Sequence, residues 1–313
     1  MPYSFSSEPN GCLIAPALLK KNQPSTIRWA GSKYTHMRDL SLLMPETIDC
    51  YVEPFLGGGN VVNYLLMKKR IEGRVILSDR SHLLVNYYHI LQREPVRMAK
   101  SVLALHEQAG RGNKQLFNDA LHVLQSLTST PFEKAVALAV RNMLVRAEVS
   151  ANLEGGLRGG FSQFRADNQG MTETQIRRLV AIGNLLQDVE IHCCDYRDTL
   201  DAIPSDNAFV FMDPPYFDPG EILYGVKMNF EVFTDRCIEI SKDHSVMITI
   251  DGGEVMMELL SPFRQIVRSV YYPSTGKTVT EQVALNYEPK MMAEKLHLLE
   301  WTEARDHNEE GDP

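Results

Sequence analysis

The stretch from Phe209 to Phe217, FVFMDPPYF, decides how this 313-residue chain folds. Four consecutive apolar residues suit a short strand covered on both faces, as in a parallel sheet. Pro214 and Pro215 stop it, because each lacks a ladder donor and has a fixed φ. Asp213 is thereby placed at the carboxyl edge of a sheet, where open α/β folds bind ligands. The plainer reading of the same residues is a strand end, a rigid turn and a solvated acid. Neighbouring segments have to decide between the two.

Working outward, residues 24–90 alternate strand-like and helix-like stretches: CYVEPF, a glycine run, the amphipathic NVVNYLLMKKR, then RVILSD. That is a β-loop-α-β pattern. Residues 91–185 carry long helical patterns and no convincing strand. Residues 186–290 return to strands, in VEIHCC, AFVFMD and HSVMITID, and close with IVRSVYY and TEQVALNY, which read as a hairpin around PSTGKTV. The order predicts one α/β sheet interrupted by a helical insertion. Residues 1–23 form an N-terminal extension. The tail, residues 291–313, ends in five acids against one Arg305 and is expected to be solvated and frayed.

Composition narrows the function classes. Apolar content of 44% and charged content of 23% are those of a globular protein, and no apolar run approaches the roughly 18 residues of a membrane span. No basic segment precedes the short apolar patch at the N-terminus, so no leader is expected and the cytoplasm is the default location. Cys12, Cys50, Cys193, Cys194 and Cys237 lack metal-ligand spacing, and are expected to be buried reduced thiols. A net charge of −8 counts against nucleic-acid binding by the whole surface but leaves room for a local basic cleft. PSTGKT is not a P-loop, because Tyr271 stands where the motif needs glycine.

Two further stretches carry chemistry. In YVEPFLGGGNVV, residues 51–62, glycines directly follow a strand, where they let the backbone approach a ligand. Gly57 and Gly59 fit a dinucleotide fingerprint, but its third glycine is Val62, which argues against a nicotinamide-dependent oxidoreductase. Asp79 ends the next strand twenty residues after Gly59, where an acid bonds ribose hydroxyls; it also suits a helix N-cap. In RWAGSKY, residues 28–34, Trp29 supplies a stacking surface and Lys33 an ammonium for a carboxylate. A core tryptophan and a surface lysine fit those two residues equally well.

Together the W-A-G-x-K, E-P-F-x-G-x-G and D-P-P-Y elements resemble the Dam-type DNA adenine-N6 methyltransferases, alpha group, over residues 26–290. The resemblance implies a Rossmann-like S-adenosylmethionine-dependent methyltransferase sheet with a C-terminal β-hairpin and an inserted helical target-recognition domain. It implies S-adenosyl-L-methionine as cofactor, held by Trp29, Lys33, Glu53, Phe55, Gly57, Gly59, Asp79, Asp195, Tyr196 and Asp213. Catalysis falls to Asp213, Pro214 and Tyr216, with Phe217 lining the pocket and no metal. The implied partner is double-stranded DNA with a flipped adenine, and the family setting extends to a cognate restriction endonuclease or other protein partner. The recognition segment lacks most aromatics of the GATC-specific members, so their target is not inherited.

The rival readings are a DNA cytosine-N4 or RNA methyltransferase, and a catalytically inactive methyltransferase-like partner subunit. Intact Asp213 to Tyr216 argues against the last. Residues 91–178 hold twelve Lys or Arg against eight acids, net +4 in a chain of −8, which supports a phosphate-facing side. Arg158, Arg165 and Lys277 are the candidates for nucleic-acid contact.

Overall fold

The computed structural model describes residues 25–29, 33, 37–145, 159–168, 170–204, 207–215, 228–251, 253–272, 277–289 and 302–303. Strand β1 (Ile48–Glu53) leads through the glycine turn into α2 (Asn60–Met67), which α1 (Met37–Leu43) precedes in the chain. β2 (Ile71–Asp79) follows, then a helical series: α3 (His82–Arg93), α4 (Pro95–Ala109), α5 (Lys114–Gln125), α6 (Pro131–Leu144), α7 (Gln163–Asn168) and α8 (Glu173–Leu185). The chain returns with β3 (Glu190–Cys193), α9 (Tyr196–Asp201), β4 (Phe209–Met212), α10 (Phe230–Ile240), β5 (Ser245–Asp251) and α11 (Glu254–Leu259). β6 (Arg264–Tyr272) and β7 (Lys277–Leu285) form the expected hairpin, and β8 (Thr302–Glu303) is a two-residue strand.

The sheet order is β3-β2-β1-β4-β5-β7-β6-β8. The first five strands are mutually parallel, and β7 joins β5 antiparallel. From β1 the chain steps outward through β2 to β3, then restarts on β1's other side with β4 and β5. The order therefore reverses between β1 and β4, and the crevice outside their carboxyl ends is where such sheets bind ligands.

Side-chain alternation splits the core into two layers, one on each face. Tyr51, Leu77, Phe209 and Phe211 point into a layer shared with α1 to α4, α6 and α8. Val52, Ile76, Val210 and Met212 point the other way, onto Tyr196, Phe233 and Cys237 of α9 and α10. All four residues of β4 are buried, as a central strand requires, and each contributes roughly 1.5–3 kcal/mol through burial. α6 starts with a capping box, Thr130 with Glu133, and Pro131 opens its first turn. From Ala135 to Leu144 it is buried on every side, so the helical series packs around it.

Three expectations need correction. Cys193 is exposed, because β3 is the edge strand and its last two residues are left uncovered; Cys194 is half-buried, while Cys50 and Cys237 are buried and all four are free thiols. Cys12 lies outside the described residues. The hairpin strand begins at Lys277, so the link is shorter than PSTGKTV. Thr302 and Glu303 pair with Val267 and Ile266, which pins the tail to the sheet edge at those two residues. Among the described residues no helix is long and apolar enough to cross a membrane.

Candidate active site

The crevice is built from the ends of β1, β2 and β4. At the end of β1, Glu53 is 2% exposed and accepts a hydrogen bond from the Tyr51 hydroxyl at 2.9 Å. Burial pushes its carboxyl well above the usual range, against the pull of Tyr51, and the nearby Asp213 and Asp79 charges push the same way. Beyond it the chain turns tightly: the Leu56 amide bonds the Ser78 carbonyl at 2.9 Å and the Gly59 amide the Leu56 carbonyl at 2.8 Å. Gly57 (φ +48°) and Gly59 (φ +62°) take left-handed backbone that other residues rarely adopt. A Cβ on Gly59 would lie 2.8 Å from the Tyr88 hydroxyl, which itself donates to the Gly57 carbonyl at 3.3 Å.

Asp79, at the end of β2, ties this turn to the next helix. One carboxylate oxygen accepts from the Gly57 amide at 3.0 Å and the other from the Ser81 amide at 2.8 Å. The side chain stays partly exposed at the crevice mouth. Burial raises its pKa, and the two amide donors oppose that rise. The cap of α3 is Ser81, whose hydroxyl accepts from the Leu84 amide, so Asp79 stands two residues before the N-cap.

Residues 25–29 lie over the glycine turn. Ser25 donates to the Gly58 carbonyl, and Trp29, 5% exposed, packs its indole beside Gly57. The Asn142 side chain of α6 holds this segment from the far side: it accepts from the Arg28 amide at 3.1 Å and donates to the Arg28 carbonyl at 3.2 Å. Nothing local in the sequence points to Asn142.

At the end of β4, Asp213 receives two donors on one oxygen. Lys33 Nζ lies 2.5 Å from Oδ1 and Thr249 Oγ1 3.0 Å from it. Lys33 is only 6% exposed and faces the protein's own carboxylate. Burial raises the Asp213 pKa, Lys33 and Thr249 oppose the rise, and the Glu281 charge on β7 adds to it. Pro214 is buried and Pro215 half-buried, so the backbone after Asp213 is fixed. Tyr216 and Phe217 lie outside the described residues.

One side of the crevice is aromatic. Phe55 stacks on Tyr196 with centroids 5.4 Å apart, and Phe233 meets both edge-on. Asp195 caps α9 and pairs with Arg197 at 2.8 Å and Arg80 at 3.5 Å. Burial works against its ionised form, yet these bonds bring its pKa below the ordinary value.

Farther out, Arg165 is half-buried on α7. Burial lowers its pKa to about 10, and the Arg28 guanidinium adds to the shift, so two cations sit close together next to Trp29. The proximity of Arg28 was not visible in the sequence. Arg158 lies outside the described residues; Lys277 opens β7, where only its backbone is described.

Three acids, Glu53, Asp79 and Asp213, and one ammonium, Lys33, thus share the carboxyl edge at the strand-order reversal. A cationic ligand suits such a site, since it would offset the unfavourable burial of the carboxylates. The glycine turn, Asp79 and the aromatic wall fit a nucleoside carrying that charge. Glu53 gives a test by pH. Its raised pKa means that the folded state holds the proton more tightly than the unfolded chain. That stability is full below the usual carboxylate range and is lost as pH rises through the raised value. Melting temperatures of Glu53→Gln and the unmodified protein, followed from pH 4 upward, should therefore diverge in favour of the variant at higher pH. Parallel curves would show that Glu53 has the same pKa in the folded and unfolded states.

The chain is similar to known proteins. A family model described as the D12 class N6 adenine-specific DNA methyltransferases matches residues 29–226. The chain is 24% identical over 199 residues to a DNA adenine methylase of Vibrio cholerae serotype O1, covering 63% of this chain and 66% of the relative. It is 26% identical over 202 residues to the DNA adenine methylase of Escherichia coli strain K12, covering 63% and 66%. A type II methyltransferase of Methanocaldococcus jannaschii is 24% identical over 202 residues, with 61% and 68% covered. The match thus spans slightly less than two thirds of the Vibrio and Escherichia proteins.

Proposed function

Because the chain belongs to the D12 class N6 adenine-specific DNA methyltransferases, we propose that it methylates the exocyclic amine of adenine in DNA, with S-adenosyl-L-methionine as methyl donor. The observation that carries this reading is Asp213, set at the strand-order reversal with two donors on Oδ1 and a buried proline behind it. When bound, the cofactor supplies an electrophilic methyl group on a sulfonium. Asp79 would accept from its ribose hydroxyls, the Gly57 to Gly59 turn would admit it at close range, and Trp29 and the Phe55–Tyr196 pair would wall it in. The cluster of carboxylates would favour its positive charge.

Adenine's amine is a weak nucleophile because its lone pair is delocalised into the ring. Asp213 Oδ2 and the Pro214 carbonyl would accept its two hydrogens and turn the lone pair toward the methyl group. Both acceptors are fixed before substrate arrives, which is electrostatic preorganisation and not a separate base step. Tyr216 follows directly in sequence and would stack on the base. An adenine inside a duplex cannot present its amine, so the base would be flipped out. The helical segment, residues 91–185, would select the DNA, with Arg28 and Arg165 on backbone phosphate, where an anion relieves their mutual repulsion.

Labelled S-adenosylmethionine offered with unmethylated DNA, RNA and protein in parallel tests the assignment. Label recovered as N6-methyladenine from DNA is the expected result. Label in N4-methylcytosine, in RNA or in protein would overturn it.

A further inference from the structure

Thr249 lies in the middle of β5, is 3% exposed, and belongs to none of the motifs that mark the site. β4 and β5 run parallel, and their last pair is Met212 with Ile248, so the next residues outward are Asp213 and Thr249. On its other flank Thr249 is paired with Val283 of β7, which fixes its backbone from both sides. A β-branched side chain in a strand has restricted χ1, so the hydroxyl direction is set by the sheet.

We propose that Thr249 is a positioning residue for methyl transfer, holding the Asp213 carboxylate so that Oδ2 faces the substrate amine. The inference rests on the function proposed above. An ionised carboxylate oxygen has two lone pairs, and Oδ1 uses both, on Lys33 at 2.5 Å and on Thr249 at 3.0 Å. Among the described residues no donor reaches Oδ2. Both donors pin the same oxygen, but Lys33 does so from the end of a long flexible side chain. The Thr249 hydroxyl is carried by a short side chain set by the sheet, and so fixes Oδ1 and with it the direction of Oδ2. The Thr249 bond also helps keep Asp213 ionised against burial and the Glu281 charge of β7, with Lys33 acting in the same sense, while the Asp213 charge in turn favours the neutral forms of the neighbouring Glu53 and Tyr51 of β1.

Thr249→Val keeps the shape and removes the donor, while Thr249→Ser keeps the hydroxyl. For Val, kcat should fall roughly 10- to 100-fold, the loss of one hydrogen bond to a charged group, with cofactor Kd changed less than about twofold. The acid limb of its kcat profile should move to higher pH, since a donor that favours the ionised carboxylate is gone. Ser should recover kcat to within about threefold of the unmodified protein. A second readout needs no turnover: the Asp213 carboxyl carbon, followed by NMR in the unliganded proteins, should titrate at higher pH in Val than in Ser. An unshifted carboxyl titration, or a folded Val variant with unchanged kcat, would overturn the inference. A parent protein that transfers no methyl to adenine, while the Val titration still shifts, would instead remove the proposed function and leave the Thr249–Asp213 coupling standing.

Discussion

Asp213→Ala should leave methylation of adenine in DNA close to background. Removing one preorganised hydrogen-bonding group from a reacting centre costs about 10² to 10³ in rate, and Asp213 is also the group that fixes the direction of approach. Asn should fare little better. Its amide oxygen would take the Lys33 and Thr249 donors at the Oδ1 position, so its NH2 would occupy the Oδ2 position and oppose the amine donor to donor. Both variants remove the anion beside buried Lys33, and breaking a buried pair costs on the order of 3–5 kcal/mol. Folding and chemistry must therefore be separated. Asp213→Ala combined with Lys33→Met should regain melting temperature without regaining turnover. Labelled methyl transfer and thermal melts on the same samples give the answer. Turnover by a folded Asp213→Ala protein within tenfold of the parent would remove Asp213 from the mechanism.

What could be read from the sequence follows from how local each signal is. β4 and its end were legible because burial on both faces and two prolines are properties of nine consecutive residues. The glycine turn and Asp79 were legible because a β-loop-α-β unit fixes the distance from turn to second strand end, and the structure joins them by the Gly57–Asp79 bond. Thr249 and Asn142 were not. Thr249 reaches Asp213 across 36 residues through the register of β5 on β4, and Asn142 reaches Arg28 across 114 through the packing of α6. No spacing rule encodes either contact. Lys33 was read as an ammonium for a carboxylate of the cofactor; the carboxylate it meets in the structure is Asp213, a partner 180 residues away that no local pattern indicates. Cys193 was misjudged because HCC reads as apolar only if its strand is internal, and strand order is a property of the whole sheet.

Asp79→Ala should weaken S-adenosylmethionine binding by one to two decades, with the sheet intact. Two losses add. The carboxylate that would accept from the ribose hydroxyls disappears, and a hydrogen bond between charged and neutral groups is worth about 1.5–3 kcal/mol, or roughly 10- to 100-fold in affinity. The Gly57 and Ser81 amides also lose their acceptor, so the glycine turn is no longer tied to the start of α3. Stability should suffer less than affinity. Burial already disfavours the ionised Asp79, and its charge adds to the unfavourable burial of Glu53, so removing it relieves part of that cost near neutral pH. Asn should resemble Ala. Whichever way its amide is placed, the NH2 faces the Gly57 or the Ser81 amide, and one of the two bonds becomes donor against donor. Titration calorimetry with the cofactor, alongside melting curves, separates the two effects. Unchanged cofactor affinity in a folded Asp79→Ala protein would mean that the end of β2 only braces the turn, and that the ribose is held elsewhere.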